Sequence, residues 1–267
     1  MGYSLSTYAP IQVHFEGWAD PRETVDNRPG AYLLFTLPVS RGIERFKEEV
    51  IKRLMIAPHL PTCSIFNATP NAEEEFNVGS RVGVWGDGFE VKKVFKDREI
   101  VEIPTMTGSF IIEEKLGVRV GVDLAVEVYT KNLDSTLLAM EEATRAVVEE
   151  TRYVGVSLYP LGGIVGAKVG GLKYRVKATV NHRYCPSLRG KTRDCLIPKG
   201  VNSVFEFLLA GLGRENVVEG MDVALTVFSR IPGVLKVVAP EFGGLWGGEK
   251  ISSRVIWAKH RYEAVGA

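Results

Sequence analysis

Apolar positions recur along this 267-residue chain with two periods, near 3.6 and near 2, and their alternation predicts the elements. Ile43, Phe46, Val50 and Leu54 share one helical face; Ser40 is the expected N-cap, and Pro58 and Pro61 stop the helix. Strands are expected at Thr7 to His14 and Ala31 to Leu37, and shorter ones around Arg81 to Trp85 and Glu99 to Ile103. After Pro104 to Gly108 the pattern continues with strands from Ser109 to Glu113 and Gly117 to Thr130. A helix follows from Asp134 to Thr151, with Leu137, Met140, Ala143 and Val147 on one side. Further strands are expected at Val156 to Tyr159, Leu172 to Val180, Leu235 to Ala239 and near Arg254 to Ala258. Two more helices are expected, one capped at Ser203 with Phe205, Leu208, Leu209 and Leu212 inward, the other carrying Val217, Val218, Met221, Leu225 and Phe228.

One phrase occurs twice. Arg152-Tyr153-Val154-Gly155-Val156 leads through an apolar strand into Pro160-Leu161-Gly162-Gly163. Arg230-Ile231-Pro232-Gly233-Val234 leads in the same way into Pro240-Glu241-Phe242-Gly243-Gly244. A helix exit, a Gly turn, a strand and a Gly-Gly loop used twice describe the two halves of a split βαβ sandwich. The expected class is α+β, with two ferredoxin-like lobes over residues 1–105 and 106–267. The Gly pairs could admit a ligand close to backbone or simply shape strand exits.

Composition narrows the chemistry. With 45% hydrophobic and 24% charged residues and a net charge of +1, this is an ordinary globular chain without an apolar run of membrane-spanning length. Met1-Gly2-Tyr3-Ser4-Leu5 lacks a signal-peptide pattern, so a cytoplasmic location is expected. Three cysteines, Cys63, Cys185 and Cys195, make no disulfide framework, and neither they nor His14, His59, His182 and His260 have metal-site spacing. A Cys185–His182 nucleophilic pair competes with a buried structural thiol. Between Lys168 and Lys199 nine Lys or Arg residues face the single acid Asp194, an electropositive stretch suited to an anionic ligand or to nothing but water. Gly86-Asp87-Gly88 is first a tight-turn signal and second a candidate ligand loop. Ser203-Val204-Phe205-Glu206 fits a capping box, yet Glu206 borders an apolar stripe, where a half-desolvated carboxyl can transfer protons near neutrality.

Six ordered segments carry a resemblance across nearly the whole chain: Ala57-Pro58 with Phe66-Asn67-Ala68-Thr69-Pro70; Gly86-Asp87-Gly88-Phe89; Leu161-Gly162-Gly163-Ile164-Val165; Asn181 with Tyr184-Cys185-Pro186; Val204-Phe205-Glu206; and Phe242-Gly243-Gly244. The chain resembles the formylmethanofuran:tetrahydromethanopterin formyltransferases. The resemblance implies formyl transfer from the amine nitrogen of methanofuran to N5 of tetrahydromethanopterin, with both coenzymes as co-substrates and no metal or tightly bound cofactor. It implies a homo-oligomer, dimer or tetramer, without nucleic-acid or membrane partners. It places the catalytic glutamate at Glu206 and substrate contacts at Gly86, Asp87, Gly88, Gly162, Gly163, Asn181, Tyr184, Gly243 and Gly244. Against the family pattern, the first lobe is expected to lack an N-terminal strand and helix. Asp123-Leu124-Ala125-Val126-Glu127 replaces a glycine- and asparagine-rich strand, and the loop after Gly166 is shorter. These departures support an alternative, a non-catalytic relative serving as a binding or scaffolding subunit. An RNA-binding module built on the basic stretch is the third possibility, without the aromatic pairs that stack bases.

Overall fold

The structure is a computed structural model, described for residues 10–60, 62–69, 71–157 and 163–239. The described residues open with a hairpin, β1 (Gln12–Ala19) and β2 (Gly30–Thr36), followed by α1 (Ile43–Leu54), β3 (Ser64–Ile65), β4 (Glu74–Asn77) and the short α2 (Gly79–Gly83). Next come β5 (Val91–Phe95), β6 (Arg98–Thr105), β7 (Gly108–Glu113), β8 (Lys115–Val118), β9 (Gly121–Thr130) and α3 (Leu133–Glu150). The remainder comprises β10 (Val154–Ser157), β11 (Gly163–Ile164), β12 (Ala167–Val169), β13 (Ala178–Val180), β14 (Ser203–Leu212), α4 (Arg214–Arg230) and β15 (Val234–Val238).

A seven-stranded sheet in the order β15-β9-β14-β10-β1-β2 dominates, with β11 also paired to β14. Its β9-α3-β10-β14-α4-β15 portion runs antiparallel in the strand order of the expected split βαβ sandwich. The protein is therefore α+β. Alternate residues of β9 and β14 point to opposite faces. Val126, Val128, Phe205, Phe207 and Leu209 meet Met140, Ala143 and Val147 of α3 and Met221, Leu225 and Phe228 of α4 in the main core. Phe228 stacks edge-on against Phe205 and Phe207 at 5.8 and 5.3 Å between centroids. Burying each such ring contributes on the order of 2–3 kcal/mol, which commits this face of the sheet to the helices.

A four-stranded sheet, β3-β7-β6-β5, packs Val101, Ile103, Phe110 and Ile112 against Val50, Ile51 and Leu54 of α1 and Val82 of α2. The division expected at 105/106 falls at the turn of the β6–β7 hairpin, which pairs Thr105 with Gly108. The β1–β2 hairpin pairs with β10, so the beginning of the chain extends the sheet built mainly by its second half.

Several local expectations are corrected. The segment from Ser203 to Leu212 is a strand, not a capped helix. It lies between β9 and β10 with Phe205, Phe207 and Leu209 buried and Val204 and Leu208 half-buried on the other face, and apolar residues on both faces make a run that helical spacing also fits. Ser203 caps nothing; its hydroxyl accepts from Thr136 Oγ1 at 2.8 Å. Arg81 to Trp85 forms α2 and a following 3-10 turn rather than a strand, its small residues Gly79 and Gly83 buried where the helix meets the sheet. The N-cap of α1 is Gly42, with Ser40 inside a preceding 3-10 turn. Of Leu172 to Val180 only Ala178–Val180 pairs as a strand, and β1 runs from Gln12 to Ala19, past the end expected at His14, while Thr7 to Ala9 lie outside the described residues. The strand expected near Arg254 to Ala258 lies outside the described residues.

Candidate active site

The face of the large sheet turned away from α3 and α4 carries the candidate carboxyls. Glu127 and Tyr129 alternate with core-facing Val126 and Val128 on β9; Val204 and Glu206 alternate with core-facing Phe205 and Phe207 on β14. The register sets Glu206 directly opposite Glu127. Glu127 is 2% exposed and Glu206 half-buried. Burial pushes the Glu206 carboxyl up to about 7. Burial, reinforced by the charge of Glu206, pushes Glu127 up to about 8. These two groups therefore change protonation near neutrality, which ordinary carboxyls do not.

The loop between β13 and β14 covers one side of this pair. Tyr129, Ile197 and Val201 form a small apolar cluster joined by Tyr184, Cys195, Val204 and Val238. The loop is held by its own hydrogen bonds: Leu196 N–H donates to Arg183 O at 2.8 Å, and Arg189 donates to Pro198 O at 2.9 Å and to Val201 O. Tyr184 lies 6.5 Å from Tyr129 between ring centroids. Its hydroxyl pKa is raised by burial first and then by the charges of Glu127 and Glu206. Buried Asn181 anchors the same turn, its carbonyl accepting from the Tyr184 N–H at 2.9 Å and from Cys185 Sγ at 3.4 Å. Burial raises the Cys185 thiol, and His182 Nε2 bonds Asp194 at 2.9 Å, so the thiol and imidazole do not form an activated pair. Arg183, Lys191, Arg193 and Lys199 stand exposed on this loop, so part of the electropositive stretch lies on the segment that covers the pair.

Two glycines on the adjacent segment have different neighbours. A Cβ at Gly163, opposite Phe207 in the ladder, would lie 2.6 Å from Met140 Cε and 2.9 Å from Phe205 Cδ2. That space belongs to the helix-facing core. A Cβ at Gly166 would instead lie 2.6 Å from Glu206 Oε2 and 3.6 Å from Glu127 Oε1. Gly166 thus leaves room for both carboxyls, and Gly162 lies outside the described residues, as do Gly243 and Gly244.

Gly86, Asp87 and Gly88 form a tight turn after α2, which packs on the smaller sheet. Asp87 and Gly88 take left-handed φ values of 52° and 91°, and the Gly88 N–H donates to Glu90 Oε2 at 2.9 Å. Among the described site residues, the structure brings together Glu206, Tyr184 and Asn181; Gly163 lies on the neighbouring strand, and the Gly86–Gly88 turn on the other sheet. Glu127 and Gly166 were missed as site residues. A lone glutamate within the apolar alternation of β9 was the available signal for Glu127, and only the strand register places it opposite Glu206.

Together these features define an α+β protein with one buried and one half-buried protonatable carboxyl side by side under a basic loop, suited to proton transfer during acyl exchange. Known proteins make the class specific. The family model described as formylmethanofuran-tetrahydromethanopterin formyltransferase matches residues 1–105, and the one described as its proximal lobe matches residues 108–256. A formylmethanofuran–tetrahydromethanopterin formyltransferase of Methanosarcina barkeri is 34% identical over 252 residues, covering 92% of this chain and 83% of that protein. The solved structure of a Methanosarcina barkeri enzyme of that name superposes with a TM-score of 0.84 at 30% identity, covering 96% of this chain and 86% of that one. The formyltransferase/hydrolase complex of Methylorubrum extorquens, solved with methylofuran, contains a chain that matches with a TM-score of 0.81 at 26% identity, covering 96% of this chain and 85% of its own. The chain belongs to the formylmethanofuran:tetrahydromethanopterin formyltransferase family.

Proposed function

We propose that this protein transfers a formyl group from formylmethanofuran to N5 of tetrahydromethanopterin, with Glu206 as general acid and base. The observation that carries the site reading is Glu206 itself, a half-buried carboxyl whose protonation changes near pH 7. When an amine attacks a formamide, the new C–N bond puts negative charge on the formyl oxygen, the attacking nitrogen must lose a proton, and the leaving nitrogen must gain one. A carboxyl poised near neutrality can accept the first proton and supply the second. The basic loop beside the pair would attract anionic coenzymes and hold them in register. Asn181, Tyr184, Gly163 and the Gly86–Gly88 turn, with Gly162, Gly243 and Gly244, are the proposed substrate contacts.

The same proposal carries a protein that needs no tightly bound cofactor, acts in the cytoplasm and assembles as a homo-oligomer. Among the described residues no helix is long and apolar enough to cross a membrane. Light scattering on the purified chain tests the assembly. The function is tested by mixing the purified protein with formylmethanofuran and tetrahydromethanopterin and following the formylated pterin by absorbance. Turnover proportional to protein supports the assignment. No turnover with both coenzymes bound would overturn it in favour of the scaffolding alternative.

A further inference from the structure

Glu206 does not stand alone on its face of the sheet. In an antiparallel ladder, residues directly opposite hold their Cβ atoms roughly 4.5–5.5 Å apart on one side, so carboxyls in that relation are close enough to share a proton. Glu127 and Glu206 are in that relation. Gly166 borders both at once, for a Cβ there would meet an oxygen of each. Two negative charges so placed and so buried oppose one another strongly, and the pair relieves this by keeping a proton. The two members differ in access: Glu127 is almost wholly buried, while Glu206 is half-buried and reachable.

Resting on the formyl-transfer function above, we propose that Glu127 is a positioning residue that keeps Glu206 in a one-proton carboxyl pair, and that this pair carries the proton from the attacking nitrogen to the leaving amine. As the C–N5 bond forms, the N5 proton passes to the anionic carboxylate of the pair, which then holds two protons. As the bond from the formyl carbon to the methanofuran nitrogen breaks, Glu206 gives a proton to that nitrogen and the formyl C=O re-forms. The pair returns to one proton. One proton has moved between nitrogens, with no water and no oxidant or reductant consumed. The groups around the pair are Tyr129 and, at the exposed start of β9, Asp123; Tyr184 and Arg183 from the covering loop; and Lys236, which the register sets opposite Tyr129 on β15. Among the described residues no cation offsets the burial of either glutamate, in keeping with the upward direction of both.

The experiment is a pH titration of the full-length protein, with carbon-13 in the glutamate carboxyls, followed by NMR in the parent, Glu127→Gln and Glu206→Gln. In the parent, both signals are expected to report two steps, the upper near pH 8. In Glu127→Gln, Glu206 is expected to titrate once and the upper step to vanish. A Glu206 signal with one step, unchanged by Glu127→Gln, overturns the pair. The catalytic part is read from the pH profile of formyl transfer: a bell in the parent, its alkaline limb lost in Glu127→Gln. An alkaline limb that persists there overturns the relay. Failure of the function itself looks different, because a parent with paired titration and no formyl transfer overturns the function and its relay while the one-proton pair stands.

Discussion

Two glutamates in the two sheets show how differently a fold can treat the same side chain. Glu113 on β7 accepts from Arg98 Nη1 at 2.8 Å and from the Asn67 N–H at 2.8 Å, and Arg98 also donates to the Asn67 carbonyl. Its charge is matched by a cation and a backbone donor, so it ties β6, β7 and the loop after β3 together. Glu127 on β9 is buried more deeply and faces another carboxyl. A matched carboxyl holds structure; an unmatched one costs stability and titrates where chemistry can use it. The covering loop does not undo this, because its Arg183, Lys191, Arg193 and Lys199 stand in solvent and its Arg189 is taken up by the loop's own carbonyls.

The sharpest way to break this comparison is Glu206→Gln. It is expected to lower kcat by about 10²–10⁴-fold, the usual share of a general acid–base group, while circular dichroism and the unfolding midpoint stay near those of the parent. An active Glu206→Gln protein would place the chemistry elsewhere.

Next in size is a pH effect on stability. Glu127 and Glu206 are raised to about 8 and about 7 in the folded chain, against an ordinary value of 4.5. Between those values the folded state binds more protons than the unfolded state, so their contribution is complete below the ordinary carboxyl range and is lost as pH rises through 7 and 8. His14 runs the other way: burial lowers it to about 4, so its contribution is complete above pH 6.5. Urea unfolding measured from pH 7.5 to 8.5, above the range of His14 and of Asp123, which burial raises to about 6, isolates the two glutamates. Stability is expected to fall over that window by an amount on the order of 1 kcal/mol per pH unit, with a flatter course in Glu127→Gln.

For the matched glutamate, Arg98→Met is expected to lose about 2 kcal/mol at pH 7, since Glu113 then keeps only its backbone donor. Combining it with Glu113→Gln should recover part of that loss in the same urea measurement. A similar loss from Glu127→Gln at pH 7 would erase the distinction between the two sites.

The smallest effects separate the two glycines. Gly163→Ala pushes a methyl into Met140 and Phe205 and is expected to cost about 1 kcal/mol of stability. Gly166→Ala displaces the Glu206 carboxyl instead, so kcat is expected to fall roughly tenfold with the unfolding midpoint nearly unchanged.

Much of this was legible in the residues. Period 3.6 located α1, α3 and α4 because each presents one apolar stripe to a sheet and a polar face to water. Glu206 stood out because a charged residue bordering an apolar run is unusual, although its suggested capping role was mistaken. β14 was misread because Val204 and Leu208 on its half-buried face are as apolar as Phe205, Phe207 and Leu209 on its core face, which hides the alternation. The Gly86–Gly88 turn was legible as a turn, since left-handed backbone favours glycine and tolerates Asp, but its position on the smaller sheet was not.

Local periodicity and the order of short motifs were enough for the α+β class, for α1, α3 and α4, for the family and for the choice of Glu206 as a candidate. That Glu127 lies opposite Glu206, that Gly166 makes room for both and that the loop after β13 covers them came only from the folded chain. Those facts depend on strand register, where a shift of one residue would send Glu127 into the helix-facing core and separate the pair.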